Sequence, residues 1–439
     1  MEKSFFLKGD ICWCSSPRAL ETARNSFLLC LDGKTGGVFK EIPKQYAQLP
    51  VKDYSYKLII PGLTDLHVHA SQFAFRALGM DMELLDWLKN LTFPEEAKYR
   101  DPGYAREAYA CFVDHVRKGP NTRLCVFATI HAEGTLLLMD MLEESGLVSL
   151  VGKVSMDRNC PDYLCESGAA GAVTGWLESC AKNQKEGRYR NTAPILTPRF
   201  IPCCSDELMK QIACIQEKYG APVHSHLSET RKEIEWVKKL CPKSGSYAGA
   251  YAEAGLLGGG APTIMAHCVW PEESEIRLLA ERGVYVAHCP QSNTNLSSGI
   301  APVRRLLDNG VSLGLGSDVA GGVHTSIFRA MADAIQVSKL RQVLVAPEEK
   351  ALSLEEAFYM GTAGGGSFFG KLRQPGYELG PSGSFETGWD FDALVIDEGD
   401  KTARTDLRTD DIRSRLERAV YLTDDRNIVS KYVRGARLF

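Results

Sequence analysis

The feature that most constrains the fold is an alternation of short apolar runs with amphipathic helical stretches through the middle of the chain. Eight runs have the composition of buried strands, in which apolar residues follow one another because both faces of the sheet are covered. A strand-helix repeat over about 300 residues favours an α/β protein with a (β/α)8 TIM-like barrel over a doubly wound sheet. The runs are LTDLHVH, RLCVFATI, LVGKVSM, APILTPRF, PVHSHLSE, TIMAHCVW, VYVAHCPQS and VSLGLGSD.

Both ends of the chain have a different pattern and are rich in short strand-like runs. SFFLKGDICWC and SFLLCLDG are broken by Gly-Asp and Asp-Gly turn signals near the N-terminus. GSFETGWDFDALVID and RNIVSKYVRGARLF resemble them near the C-terminus. We therefore predict a barrel over residues 63–377, with residues 1–62 and 378–439 together forming one small β-sandwich domain.

Charge and cysteine content exclude several classes of protein. The net charge of −4 over 439 residues, without a basic block, offers no electrostatic case for binding nucleic acid or a membrane surface. The chain shows neither a signal-peptide pattern nor an apolar run of roughly 20 residues. Its 14 cysteines are scattered along the chain, which favours reduced, mostly buried thiols and a cytoplasmic protein.

Histidines follow several of the strand candidates. His67 and His69 lie two residues apart, so on a strand both side chains point the same way. The carboxyl ends of barrel strands converge on one mouth, where active sites form. Three imidazoles and a carboxylate at that mouth would suit Zn²⁺, which lowers the pKa of a bound water to about 7. Further candidates at other strand ends are His226, Glu229, His267 and Asp318.

Several of these segments resemble those of a known family. PGLTDLHVHASQF resembles the first-strand signature of the amidohydrolase superfamily. HASQF, LLDWLKNLTFPEE, TPRF, SHLSE, AHCPQSN and GLGSDVAGG look like the guanine deaminase family within it. The resemblance runs from about Pro61 to Val433 and implies a barrel with a flanking β domain, a homodimer and a purine substrate, guanine.

The resemblance also implies a metal site with one zinc ion per chain. The matching ligands are His67, His69, His226 and Asp318. Relatives with two metals carry a bridging lysine in the fourth strand, and PILTPRF contains none, so one ion is expected. Histidine and carboxylate ligands suit iron as well as zinc, so the residues leave the choice of metal open.

The remaining matches imply roles in catalysis and in holding the purine. Asp318 would accept the proton of the attacking water, Glu229 would protonate a ring nitrogen, and His267 would orient the hydroxide or the developing oxyanion. Among the other histidines, His224 is expected to support a neighbour, and His288 is a candidate for a supporting contact. The expected substrate-binding residues are Gln72, Arg199, Phe200, His226 and Glu229.

The expected reaction is zinc-dependent hydrolysis of guanine to xanthine and ammonia. Two alternatives stay open. A related aminohydrolase would act on 8-oxoguanine, a pterin or a triazine at the same metal, with a different pocket. A metal-free scaffold protein on the same fold is less compatible with the sequence, because all four metal-ligand positions are retained.

Overall fold

The computed structural model describes residues 4–398 and 411–439. Strands and helices alternate through the middle of the chain, and each of the eight apolar runs contains a strand of the barrel. The strands are β1 (Phe5–Ser16), β2 (Ala19–Leu31), β3 (Lys34–Phe39), β4 (Val51–Pro61), β5 (Leu63–His69), β6 (Asn121–Phe127), β7 (Val148–Gly152), β8 (Val154–Ser155), β9 (Thr192–Pro194), β10 (Thr197–Pro198), β11 (Val223–Leu227), β12 (Thr263–His267), β13 (Tyr285–His288), β14 (Ser312–Leu315), β15 (Ala393–Ile396), β16 (Ile428–Val433) and β17 (Ala436–Arg437).

The helices between the barrel strands begin and end where the sequence suggests. The Ser205 hydroxyl accepts a hydrogen bond from the Leu208 amide at 3.1 Å, and Gly220 ends the same helix at a φ of 64°. None of the helices described is long and apolar enough to cross a membrane. They are α1 (Leu84–Trp87), α2 (Phe93–Lys98), α3 (Pro102–Lys118), α4 (Ala132–Ser145), α5 (Ala169–Lys185), α6 (Asp206–Tyr219), α7 (Arg231–Leu240), α8 (Tyr247–Glu253), α9 (Glu273–Glu281), α10 (Pro290–Asn295), α11 (Val303–Asp308), α12 (Ile327–Leu344), α13 (Leu354–Tyr359) and α14 (Ile412–Leu422).

The barrel is built from two four-stranded parallel sheets, ordered β5-β6-β7-β9 and β11-β12-β13-β14. Leu196 joins them, because its amide donates to the Pro222 carbonyl at 2.8 Å and its carbonyl accepts from the His224 amide at 2.9 Å. On the other side the Asp318 amide donates to the His67 carbonyl at 2.8 Å. These bonds close the barrel, so the predicted (β/α)8 fold is confirmed.

Strands from the two ends of the chain form one seven-stranded sheet in the order β17-β16-β15-β4-β1-β2-β3, so both ends contribute to the small domain as predicted. The remaining strands, β8 and β10, pair with each other in a short parallel sheet. The sheet curls over a core of its own, because the Phe391 amide donates to the Gly33 carbonyl and the Gly435 amide donates to the Phe391 carbonyl, both at 2.9 Å. The predicted small β domain is confirmed, and it is built on one continuous sheet rather than on two packed sheets. The boundaries after residues 62 and 377 stay predictions. The core contains Phe5, Leu7, Ile11, Leu28, Cys30, Ile59, Phe385, Phe391, Ala393, Val395 and Tyr432.

One of the two predicted turns near the N-terminus is wrong. Gly9 and Asp10 lie inside the continuous strand β1, where the pairing with β2 shifts register, so they form a bulge rather than a turn. Asp10 is held there because its Oδ1 accepts the Asn25 amide at 2.8 Å. The second prediction is correct, since Asp32 and Gly33 have φ angles of 48° and 82° and connect β2 to β3.

A buried ion network joins the small domain to the barrel. Arg123, on barrel strand β6, is fully buried. Its Nε donates to Asp392 at 2.7 Å and its Nη2 donates to Asp390 at 2.8 Å. Both aspartates immediately precede β15, so a barrel strand and the central region of the small sheet share one charge-assisted contact.

Candidate metal and active site

The candidate site lies at the mouth of the barrel, where the strands end. His67 and His69 are on β5 and point to one side because alternate strand residues share a face. His226 is on β11, His267 ends β12, and Asp318 follows β14. His67, His69, His267 and Asp318 are buried and His226 is partly buried. The parallel arrangement of the strands brings these distant parts of the sequence together.

Four of these groups converge closely. Nε2 of His67 lies 3.1 Å from Oδ1 of Asp318, and Nε2 of His69 lies 3.4 Å from the same oxygen. Nε2 of His226 lies 3.3 Å from Nε2 of His69. Burial lowers the pKa of all three histidines well below the ordinary value, so the imidazoles are neutral and can offer lone pairs to a cation.

The arrangement fits a divalent metal ion. Nε2 of His67 is buried without a hydrogen-bond partner among the residues described, although Asp318 lies beside it. Three neutral ring nitrogens and one carboxylate oxygen are a donor set that Zn²⁺ accepts. His267 and Cys289 also place ligand atoms close to Asp318, so the choice of His67, His69, His226 and Asp318 as ligands stays a prediction.

Contacts behind the imidazoles fix which nitrogen faces the cluster. Nδ1 of His226 lies 2.7 Å from the carbonyl of Arg199, to which only a protonated nitrogen can donate. Its Nε2 therefore carries the lone pair. Nδ1 of His67 lies 2.9 Å from Nε2 of His224, so the histidine expected to support a neighbour contacts a candidate ligand directly.

Glu229 and His267 form an acid-base pair beside the cluster. Nε2 of His267 lies 3.6 Å from Oε2 of Glu229, and its Nδ1 lies 2.9 Å from Oδ1 of Asn293, to which it donates. Burial raises the pKa of Glu229 to about 7. Burial alone would lower the pKa of His267, but the carboxylates of Glu229 and Asp318 raise it above its ordinary value. Such perturbed groups concentrate at catalytic sites.

Several residues of the site have backbone conformations that side chains normally avoid. Ser228, His267 and Asp318 have φ angles of 50°, 76° and 46°. Each lies at or just beyond the end of a barrel strand. Positive φ at a residue other than glycine costs of order 1–3 kcal/mol and persists where the surroundings hold the residue in place. The strain therefore lies at two groups expected to take part in the chemistry, His267 and Asp318, and at Ser228, the residue before Glu229.

The residues expected to hold a purine line the same cavity. Gln72, Arg199 and Phe200 are each at least nine-tenths buried and share the cavity with the metal cluster. Gln72 lies just beyond β5, and Arg199 and Phe200 follow β10. The residues named from the sequence that line the cavity are His69, Gln72, Arg199, Phe200, His226, Glu229, His267 and Asp318.

Sequence reasoning missed one polar residue and an apolar wall. Glu96 on α2 contacts both Arg199 and Gln72, although no role is evident for it in the motif LTFPEE. The sequence offers one local sign of a role for Glu96, which is that its carboxylate belongs to a segment whose apolar residues predict burial. The apolar wall of the cavity consists of Leu84, Trp87, Leu88 and Leu296.

His288 and the remaining histidines lie outside the cluster. His288 is buried at the end of β13, and neither of its ring nitrogens has a hydrogen-bond partner within the described residues. Burial and the nearby His267 lower its pKa to about 3, so its ring is neutral. His115 and His131 are partly buried and His324 is exposed.

A model of the amidohydrolase family matches residues 58–438, which include the barrel and all three C-terminal strands, β15 to β17. The chain belongs to the amidohydrolase family. Two relatives of this amidohydrolase are guanine deaminases. The one from Dictyostelium discoideum is 37% identical over 399 residues, covering 89% of this chain and 84% of the relative. The one from Escherichia coli is 33% identical over 429 residues, covering 96% and 92%.

A solved structure resembles the amidohydrolase over its whole length. It is the crystal structure of guanine deaminase from C. acetobutylicum with guanine bound in the active site. The TM-score is 0.92 at 41% sequence identity, and the match covers 99% of this chain and all of the other. The chain therefore has the overall fold of that structure.

Proposed function

We propose that this amidohydrolase catalyses the hydrolytic deamination of guanine to xanthine and ammonia. One observation carries the proposal. The residues that match the guanine deaminase motifs are far apart in the sequence, yet they line one cavity that also contains the candidate metal cluster. The likeness to a guanine deaminase with guanine bound supports the choice of substrate.

We assign His67, His69, His226 and Asp318 as the ligands of one divalent cation, which we propose is zinc. The distances of 3.1 and 3.4 Å from Asp318 to two of the imidazoles and the neutral state of the rings support the assignment. When bound, a divalent cation brings the pKa of a coordinated water near neutrality. The protein contributes the fixed ligand geometry and the burial that keeps other water away.

The acidic and basic side chains carry the protons in the proposed reaction. Asp318 accepts a proton as water adds to the carbon that bears the amino group of guanine. Glu229 donates a proton to a ring nitrogen, and a pKa raised to about 7 allows its carboxyl to hold that proton near neutral pH. His267 donates a hydrogen bond to the oxygen being added. As the bond from carbon to the amino group breaks, the proton held by Asp318 passes to the amino group, which leaves as ammonia, and the carboxylate of Glu229 takes the proton of the added hydroxyl.

Three other side chains orient the purine. Arg199 presents a planar set of N–H donors suited to the carbonyl and a ring nitrogen of guanine. The amide of Gln72 can donate and accept along one edge of the base, and the Phe200 ring packs against it. Their location in the same cavity as Glu229 supports these roles.

The test is conversion of guanine to xanthine by the purified protein, followed by absorbance and by ammonia release, with and without a chelator. We expect activity that the chelator abolishes and added Zn²⁺ restores, with about one zinc per chain by elemental analysis. The variant D318N should be inactive. Activity confined to 8-oxoguanine, a pterin or a triazine would contradict the substrate, and a protein without bound metal or turnover would favour a scaffold role.

We also propose that the enzyme is a cytoplasmic homodimer. Fourteen cysteines are scattered along the chain and nine of them are buried, which supports a reducing compartment. Size-exclusion chromatography with light scattering tests the dimer, and a mass near the 48.4 kDa of one chain would contradict it. Fractionation of cells that express the protein tests the compartment.

A further inference from the structure

Glu96 lies where it can control both polar side chains assigned to the purine. It is on α2, a short helix outside the strand-helix repeat of the barrel, and is only 2% exposed. Its Oε2 accepts a hydrogen bond from Nη1 of Arg199 at 2.6 Å. Its Oε1 accepts from Nε2 of Gln72 at 3.0 Å. One buried carboxylate therefore uses one oxygen for each of the two residues.

Two residues of the same helix, Glu96 and Phe93, contact the guanidinium of Arg199. Glu96 neutralises its charge, and the ring of Phe93 lies 5.1 Å from its Cζ. In the described part of the chain, the only hydrogen bond from this guanidinium goes to Glu96. The other N–H groups remain available to a ligand in the cavity that Arg199 lines.

Glu96 also determines how the amide of Gln72 is turned. A carboxylate can only accept, so the NH₂ group of Gln72 must face Glu96. Oε1 of Gln72 then accepts a hydrogen bond from the amide of Ala320 at 3.3 Å. Ala320 lies two residues beyond Asp318. The side chain is thereby tied to the loop that carries a candidate metal ligand.

We propose that Glu96 is a positioning residue that makes Arg199 and Gln72 a single unit for recognising the carbonyl-bearing edge of an oxopurine. This inference rests on the proposed deamination of guanine and adds a residue that acts through its neighbours. Without the carboxylate, the buried guanidinium loses its counterion and the amide of Gln72 is free to turn over.

The decisive variant is Glu96→Gln, which keeps the size of the side chain and removes its charge. Glu95→Gln is the matched control, because Glu95 is also buried on α2 but pairs with Lys98 and Tyr104 and contacts neither purine residue. The substrate is guanine, and the probe is 2-aminopurine, which lacks the carbonyl and is measured as a competitive inhibitor. Metal content and melting temperature are recorded for every variant.

We expect E96Q to raise the KM for guanine by roughly 10- to 100-fold, with a smaller fall in kcat. The inhibition constant for 2-aminopurine should rise by a smaller factor than the KM for guanine, because that ligand keeps the contact to a ring nitrogen but lacks the carbonyl contact. E95Q should behave as the parent enzyme. Equal losses for both ligands, or an unchanged KM for guanine, would overturn the inference.

A second variant tests the positioning role of Glu96 if E96Q does not fold. Glu96→Asp keeps the charge but is one methylene shorter, so it cannot hold both partners, and its effect should again be larger for guanine than for 2-aminopurine. An equal effect would assign Glu96 a structural role only. The parent enzyme separates the two proposals. If the parent does not deaminate guanine, the proposed function is refuted. If the parent is active and E96Q has the same KM for guanine, only the role of Glu96 is refuted.

Discussion

Nε2 of His224 lies 2.9 Å from Nδ1 of His67, so one imidazole orients another. If His67 binds a cation through Nε2, its Nδ1 carries the hydrogen and donates it to His224. Both rings are buried, and burial lowers the pKa of each well below the ordinary value. A histidine two residues before His226 thus supports a candidate ligand on a different strand.

Removing that support should weaken metal binding. Because the hydrogen bond fixes the ring and the tautomer of His67, we expect His224→Ala to lower zinc affinity by about 10- to 100-fold. Competition with a chromophoric chelator measures the affinity. His324→Ala is the control, since His324 is exposed and outside the cluster. Equal affinities in both variants would show that His224 has no such function.

Glu229→Gln should separate catalysis from metal binding. The amide keeps the shape of the side chain and can still accept the hydrogen bond that Ser298 donates to Oε1 at 3.1 Å. It cannot supply the proton, so we expect kcat to fall by about 10²- to 10⁴-fold. Zinc content should remain that of the parent. Parent-like turnover with the metal in place would refute the assigned role.

The ion pair between Arg304 and Glu356 should make stability depend on acid pH. Burial alone would raise the pKa of Glu356, but hydrogen bonds from Arg304, one of them 2.6 Å long, and from the Ser353 amide lower it to about 2. Because the folded-state value lies below the unfolded one, the stabilisation is present above about pH 4.5 and is lost as the pH falls toward 2.

Urea unfolding of the parent and of Glu356→Gln at several pH values checks this. Between pH 6 and pH 3 the parent should lose stability more steeply than the variant, by about 1–2 kcal/mol in the free energy of unfolding. The difference in the free energy of unfolding between the parent and Glu356→Gln should therefore become smaller as the pH falls. A difference independent of pH would contradict the depressed pKa of Glu356.

Arg123→Ala should destabilise the whole molecule. The substitution leaves Asp390 and Asp392 buried without their guanidinium, and breaking a buried pair in this way costs about 3–5 kcal/mol. Thermal and urea unfolding measure the loss. Lys118→Ala is the control, because its pair with Asp114 is exposed and should change stability by less than about 1 kcal/mol.

The barrel could be predicted from sequence because its signals are local. A buried parallel strand is a short apolar run, and a metal-binding side chain at its end appears as a polar residue where the run stops. His267 and Asp318 could be identified in this way. The parallel pairing of the strands then brings their ends together without further information from the sequence.

Features that depend on pairing between distant segments could not be predicted. Gly9 and Asp10 have the composition of a turn, and only the register of β1 against β2 shows that they form a bulge. Glu96 reaches the site because α2 packs over the barrel mouth, and no periodicity reveals such packing. Helix α14 (Ile412–Leu422) is not evident from the sequence either, because it is short and strand-like runs lie on both sides of it.

The small sheet has a consequence for how the protein is made. Strand β4 pairs with both β1 and β15, so the N-terminal strands acquire a partner that is synthesised only near the end of the chain. At the usual speed of translation, the roughly 330 residues between β4 and β15 take about 15–65 s to emerge from the ribosome. During that interval one edge of β4 is open, including its last four residues, Leu58–Pro61, which are buried in the folded protein. The nascent chain is then a natural client for chaperones, and premature termination anywhere in the barrel would leave that edge permanently uncovered.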